Sequence, residues 1–241
     1  MRIAASGVLA VLAGFSQSVL AHECDSCPAA PASASFWPSD WNPSFYASAG
    51  FQNAMFEDWD TISNIDPASQ TSRSEDDSDT GYRVSAGMSF LEHFGVELTY
   101  ADFGEATLAA QSDGSGQILA AGPQHDAVEL DGFGLHLIAR VPLGKEFSLA
   151  GRAGLWLWNT RQRISGSVQN PPGSGTPVPA ELDDSKGSTR FGWGAGLDYD
   201  GFKPFRVTLA YEASTFEAEN TEEISGASDI RALSLSVAYF F

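Results

Sequence analysis

Cysteine is scarce in this chain of 241 residues: there are two, Cys24 and Cys27, both near the start. No disulfide framework can therefore staple the body of the protein. Basic residues are few as well, 13 against 31 acidic ones, for a formal net charge of -18. That balance argues against nucleic acid or an anionic surface as a principal partner. Beyond the N-terminus no run of about 18 apolar residues occurs, which excludes a transmembrane helix from the rest of the chain. It does not exclude strands that cross a membrane. In such strands lipid-facing residues alternate with lumen-facing ones, and average hydropathy stays low. Histidine is limited to His22, His93, His125 and His136, and no motif asks for a cofactor.

The N-terminus reads as an export signal spanning residues 1–21. Arg2 supplies the charge, Ile3 to Phe15 the apolar stretch, and Val19-Leu20-Ala21 the small-x-small site. Residues 22–43 read as an irregular lead-in, opening His22-Glu23-Cys24-Asp25-Ser26-Cys27 and rich in Pro, Ala, Ser and Trp. In an exported protein Cys24 and Cys27 suit a small local disulfide. Thiolate and imidazole so close together also suit a soft metal.

From Ser44 onward the pattern settles into period-2 segments of about ten residues, the length a tilted strand needs to cross a bilayer. Phe45, Ala47, Ala49 and Phe51 alternate with Tyr46, Ser48, Gly50 and Gln52. Seven further segments behave alike, ending in Leu233, Leu235, Val237, Tyr239 and Phe241 against Ser234, Ser236 and Ala238. Eight is an even count, as an antiparallel membrane barrel requires. The connections alternate in length. Short ones fall at Leu91–His93, Pro142–Glu146 and Asp200–Pro204, and long ones at about 53–79, 103–127, 159–189 and 213–229. Short periplasmic turns and long outer loops are the expected asymmetry. The long connections show no apolar periodicity, so they are expected to stay without packed structure. Aromatic residues gather at strand ends, with Phe45, Phe90, Phe94 and Phe147 at one end and Trp158, Phe191 and Tyr211 at the other, as interfacial belts do. The expected fold is all-β: an eight-stranded antiparallel up-and-down transmembrane β-barrel over 44–241.

The closing stretch Leu235, Val237, Tyr239, Phe241 resembles the C-terminal signature of bacterial outer-membrane barrels. Gly81-Tyr82-Arg83-Val84-Ser85-Ala86-Gly87 and Phe94-Gly95-Val96-Glu97-Leu98-Thr99-Tyr100 are similar to the second hairpin of the OmpA-like and opacity-type barrels. Gly151-Arg152-Ala153-Gly154 and Gly192-Trp193-Gly194-Ala195-Gly196 add to the likeness. The resemblance implies folding by the barrel-assembly machinery, contact with outer-membrane lipid, a monomer, and a structural or surface role in envelope integrity or adhesion. OmpA's peptidoglycan-binding domain has no counterpart in these motifs, so its anchoring role is not expected here.

An eight-stranded barrel is just wide enough to be filled by side chains. The expected interior polar network is Arg83, Glu97, His136, Arg140, Arg152, Arg190, Asp198, Arg206 and Glu212. Asp198 faces Arg206 if Tyr199 lies opposite Phe205. Such a network either stiffens the barrel or lines a narrow ion path. His125-Asp126 is the candidate for rim chemistry, without a nucleophile joined to it. The acidic run Glu75-Asp76-Asp77-Ser78-Asp79 could draw divalent cations, which take oxygen ligands, or simply be solvated.

Overall fold

A computed structural model describes residues 43–57, 70–90, 93–115, 120–169, 177–219 and 225–241. The export signal, Cys24 and Cys27, nearly all of the lead-in, and parts of each long connection lie outside them. The described residues form nine strands: β1 Ser44–Glu57, β2 Gln70–Asp76, β3 Ser78–Phe90, β4 Phe94–Ser112, β5 Gly122–Pro142, β6 Phe147–Gln169, β7 Pro177–Phe202, β8 Phe205–Glu219 and β9 Ser225–Phe240. Every pairing is antiparallel, and the order β4-β3-β1-β9-β8-β7-β6-β5 closes on itself through a β4–β5 ladder. β2 and β3 share one position in the wall. β3 covers β4 from Phe94 to Asp102, and β2 covers it from Thr107 to Ser112. The barrel is thus eight-stranded, with one strand interrupted at Asp77. Closure removes the free edges that an open sheet would carry. The chain end is pinned in the wall, where Phe241 N–H donates to Phe45 C=O at 3.1 Å.

Parity along each strand decides what faces outward. On β6 the outward residues from Phe147 to Leu157 are apolar or small, and Phe133, Leu135, Leu137, Trp193, Leu197, Leu209, Leu233 and Leu235 continue the same band round the barrel. At about 3.3 Å per residue that stretch is about 33 Å long, and at a tilt of about 40° it stands about 25 Å tall, the height of a membrane-facing band. Phe205, Tyr239 and Phe241 cluster at the short-turn end, and Tyr82, Tyr100 and Phe133 at the other.

The strands do not stop at the band. β4, β5, β6 and β7 continue well beyond it toward the loop end, and much of what was expected as unstructured connection is ladder. The physical reason is an inversion of phase. Above Leu157 the outward residues become polar, with Asn159, Arg161 and Arg163 on β6 and Asp131 and Glu129 on β5. The inward ones turn apolar: Phe56, Phe103, Leu108, Val128, Leu130, Trp156, Trp158, Phe216 and Ile230 form one buried cluster. Period-2 is kept, but the apolar set changes side, and these segments gain a core of their own. Trp158 therefore does not belong to an outer belt. It is 2% exposed and stacks on Trp156 inside the barrel, with ring centroids 4.7 Å apart. A one-residue bulge between Asp102 and Glu105 lets β4 pass from one regime to the other. Gly104 sits there at φ +81, and an added Cβ would fall on the Asp79 carboxylate.

Candidate functional site

The interior below the aromatic cluster is polar and is arranged in two tiers. In the upper tier Glu212 Oε1 accepts from Arg83 Nη1 at 2.7 Å and also from Arg152 Nη1. Glu97 lies across from it, 3.8 Å from Arg83 and 3.6 Å from Arg152. Tyr46 donates its hydroxyl to Glu97 Oε2 at 2.9 Å, and Thr99 donates to Oε1 at 3.2 Å. Two guanidinium groups and two carboxylates thus balance, and all four side chains are buried. Buried charges persist only when paired and hydrogen-bonded in this way. His136 is buried beside them against Trp156, with ring centroids 5.0 Å apart.

In the lower tier Arg140 Nε donates to Asp198 Oδ2 at 2.8 Å, and Thr208 donates to Asp198 Oδ1 at 2.7 Å. Arg206 forks onto Asp200 at 2.7 and 3.1 Å and lies over the Phe240 ring, 4.7 Å from its centroid. The expected register between Asp198 and Arg206 is corrected, while the ion pair itself is present. Tyr199 lies opposite Val207 and Asp198 opposite Thr208, so the nearest basic partner of Asp198 comes from β5 and Arg206 stays 3.8 Å away. Arg190 is half-buried higher on β7, opposite Trp156.

Sequence reasoning passed over Tyr46 and Thr99, which bond Glu97; Thr208, which bonds Asp198; and Asp200, which bonds Arg206. The first three share the inward parity of the residues it named, so parity was the available signal. Asp200 falls in a short connection of the sequence, where strand parity gives no facing. Inward glycines make room, since a Cβ at Gly194 would strike Glu212 and the Arg152 stem. A cavity of about 10 Å³ lies between Arg83, Glu97, Arg140 and Arg206. A second of about 10 Å³ separates Glu212 from Trp156 and Trp158. Each is the size of a single water.

At the loop end His125 and Asp126 do not form a pair. Neighbours on a strand point to opposite faces. His125 is exposed outside, while Asp126 is 1% exposed inside and accepts from Gln162 Nε2 at 3.1 Å. The acidic run beside Asp77 is engaged locally: Glu75 pairs with Arg73 at 2.8 Å, and Asp79 accepts from the Glu105 N–H at 3.0 Å. Among the described residues no group of three or more His, Cys, Asp or Glu converges on a metal position.

A closed antiparallel barrel with an apolar outer band and a filled, charge-balanced interior defines a transmembrane β-barrel protein. The match to a family model is direct: residues 7–241 fit the outer membrane protein β-barrel domain, and the chain belongs to that family. Its place is the bacterial outer membrane. Among solved structures the chain is similar to the attachment invasion locus protein Ail of Yersinia pestis, at 12% identity and TM-score 0.45 over 83% of this chain and 99% of that one. It is similar also to Neisserial surface protein A, at 14% identity and TM-score 0.46 over 83% and 99%. OprG of Pseudomonas aeruginosa matches at 15% identity and TM-score 0.47 over 83% and 97%. A comparison with curated proteins returns no match.

Proposed function

We propose that this barrel acts at its loop end as a surface-interaction protein of the outer membrane, contributing to envelope integrity or adhesion, and that its lumen is a filled strut. The loop end faces outward, and the short turns and the N-terminus face the periplasm. The barrel-assembly machinery inserts it as a monomer, guided by Leu235, Val237, Tyr239 and Phe241. The observation that carries this reading is the double filling of the interior, with ion-paired tiers below and an aromatic cluster above. Opening a path would break buried pairs and move stacked tryptophans together. A filled barrel with long walls above the band has its free surface at that end.

A second reading, a narrow ion path, draws on the charged groups that follow one another along the axis from Arg206 to Glu212. Planar-bilayer recording separates the two. The strut predicts a silent bilayer with the protein folded, as judged by a gel shift lost on boiling. Steady unitary conductance would overturn it. Protease treatment of intact cells tests the orientation: cleavage in the long connections is expected, and protection there with cleavage only after the outer membrane is opened would reverse it.

A further inference from the structure

The two cavities of the lumen are alike in size, about 10 Å³ each, and differ in what their walls leave unbonded. Most carboxylate oxygens of the polar interior are committed. Glu97 accepts from Tyr46 and Thr99, Asp198 from Arg140 and Thr208, and Asp200 from the Arg206 fork. Glu212 Oε1 accepts from Arg83 and Arg152. Four buried atoms of these residues make no hydrogen bond: Arg83 Nη2, Arg152 Nε, Arg206 Nη1 and Glu212 Oε2. Glu212 lines the upper cavity together with Trp158, whose Nε1 is also unbonded. One donor and one acceptor are what a water molecule satisfies. Arg83, Arg152 and Arg206 line the lower cavity beside Arg140, and Glu97 is the one carboxylate in that wall. Arg83 Nη2 lies 3.8 Å from Glu97 Oε1, beyond hydrogen-bond reach. The unbonded charged groups at the lower cavity are donors alone.

We propose that the lower cavity binds one small monovalent anion of the halide class. Net charge does not select it, because the four arginines of the two tiers are matched by Glu97, Glu212, Asp198 and Asp200. The kind of group left unbonded does. Three guanidinium N–H groups call for an acceptor. A water must also place two protons of its own, and the carboxylate oxygens around this cavity already hold their donors. A halide only accepts, takes donors from any direction and forms charge-assisted bonds. Size excludes larger anions, since about 10 Å³ has room for one water-sized particle and not for sulfate, phosphate or an organic acid. The hydroxyls of Ser48 and Ser236 stand in the same wall and can turn a proton toward the ion. The ion joins Arg83 and Arg152 of the upper tier to Arg206 of the lower one, and so ties the two tiers together.

The test is a urea titration of the full chain folded in detergent micelles, in sodium chloride, bromide, gluconate or sulfate at one ionic strength. Gluconate and sulfate are too large for the cavity. Chloride and bromide are expected to raise the folded-to-unfolded ratio above its value in gluconate, by about tenfold at ten times the Kd. That gain should saturate, whereas sulfate stabilises through exclusion from the surface and does not saturate. Ser48→Val fills the cavity and alters no charge. Arg206→Gln removes one donor where the partner Asp200 is partly exposed and keeps access to water. Both variants should fold, as the gel shift would report, and lose the halide response. Crystals of the unaltered chain grown in sodium bromide should show one anomalous peak among Arg83, Arg152 and Arg206, and that peak decides the matter if neither variant folds. Equal stability in chloride and gluconate, a halide response that survives Ser48→Val, or a water there in place of bromide would overturn the proposal. A conducting lumen that binds bromide would refute the strut alone, and a silent one without a halide response would refute the anion site alone.

Discussion

Glu212→Ala tests whether the lumen is dry and bonded or merely lined with charge. Glu212 Oε1 accepts from both Arg83 and Arg152, and without it Glu97 alone would face two guanidinium groups at 3.8 and 3.6 Å. Removing one partner of a buried pair costs about 3–5 kcal/mol, because the remaining charge is stranded out of water. Against a typical total of about 5–15 kcal/mol that is a large share of stability. The measurement is a urea titration of the barrel in lipid vesicles, read from buried Trp156 and Trp158 and checked by the gel shift. Glu212→Gln keeps the shape and one acceptor, so a smaller loss is expected. Replacing Glu212 and Arg152 together by leucine removes a cation with its anion and should recover part of the loss, since apolar substitution of a whole buried pair is often neutral. A loss of about 1 kcal/mol or less for Glu212→Ala is what a solvated pair shows. That result would refute the dry interior and favour the ion path.

The facing of the tryptophans can be read directly. In variants retaining a single tryptophan, brominated lipid should quench Trp193, which is 54% exposed on the outer band, and leave Trp158, which is 2% exposed, untouched. Trp158→Ala should cost about 3–5 kcal/mol through the cavity it leaves. Arg161→Ala, outside on the same strand and paired with Glu129 at 2.7 Å while both remain partly exposed, should cost about 1 kcal/mol or less. Gly104→Ala forces a side chain into positive φ and onto Asp79, for a loss of about 1–2 kcal/mol from the backbone alone. Above the band, burial raises the Glu105 pKa, with the Glu129 and Asp79 carboxylates adding to it. The folded state then holds a proton that the unfolded state has released, so stability falls as pH rises from the ordinary glutamate range through the raised value. Glu105→Gln should flatten that part of a stability–pH profile, and an unchanged slope would assign it to other groups.

The eight positions of the wall and the outward face of each were legible in the sequence, because period-2 parity reports which residues share a face whatever the partner strand is. Partners were not legible. Arg83 meets Glu212 across 129 positions of sequence, and Arg140 meets Asp198 across 58. Each contact joins strands that are not ladder neighbours. It is set by the stagger with which the barrel closes and by which side chains reach across the lumen, and neither leaves a local trace. That is why Asp198 was matched to Arg206 through an assumed turn, when the actual register sets Thr208 opposite it.

The loop end was misread for a different reason, and there the signal was present. Val128, Leu130, Trp156, Trp158, Phe216 and Ile230 stand on the same parity as His136, Arg152, Glu212 and Ser234 lower on their own strands. Taken as one face, such a mixture looks like noise, and the segments look unable to order. Taken as a change of solvent at Leu157, each half is consistent. Inside a bilayer the apolar set must face out to lipid, and polar residues fill the lumen. Above it the wall faces water, and the apolar set must turn inward to make a core. A strand that crosses the interface therefore has to exchange the roles of its two faces, and the residue where it does so marks the edge of the membrane. On β6 that point lies between Leu157 and Asn159. On β4 it coincides with the Gly104 bulge, where one extra residue after Phe103 turns Glu105 outward and brings Ala106 and Leu108 into the core.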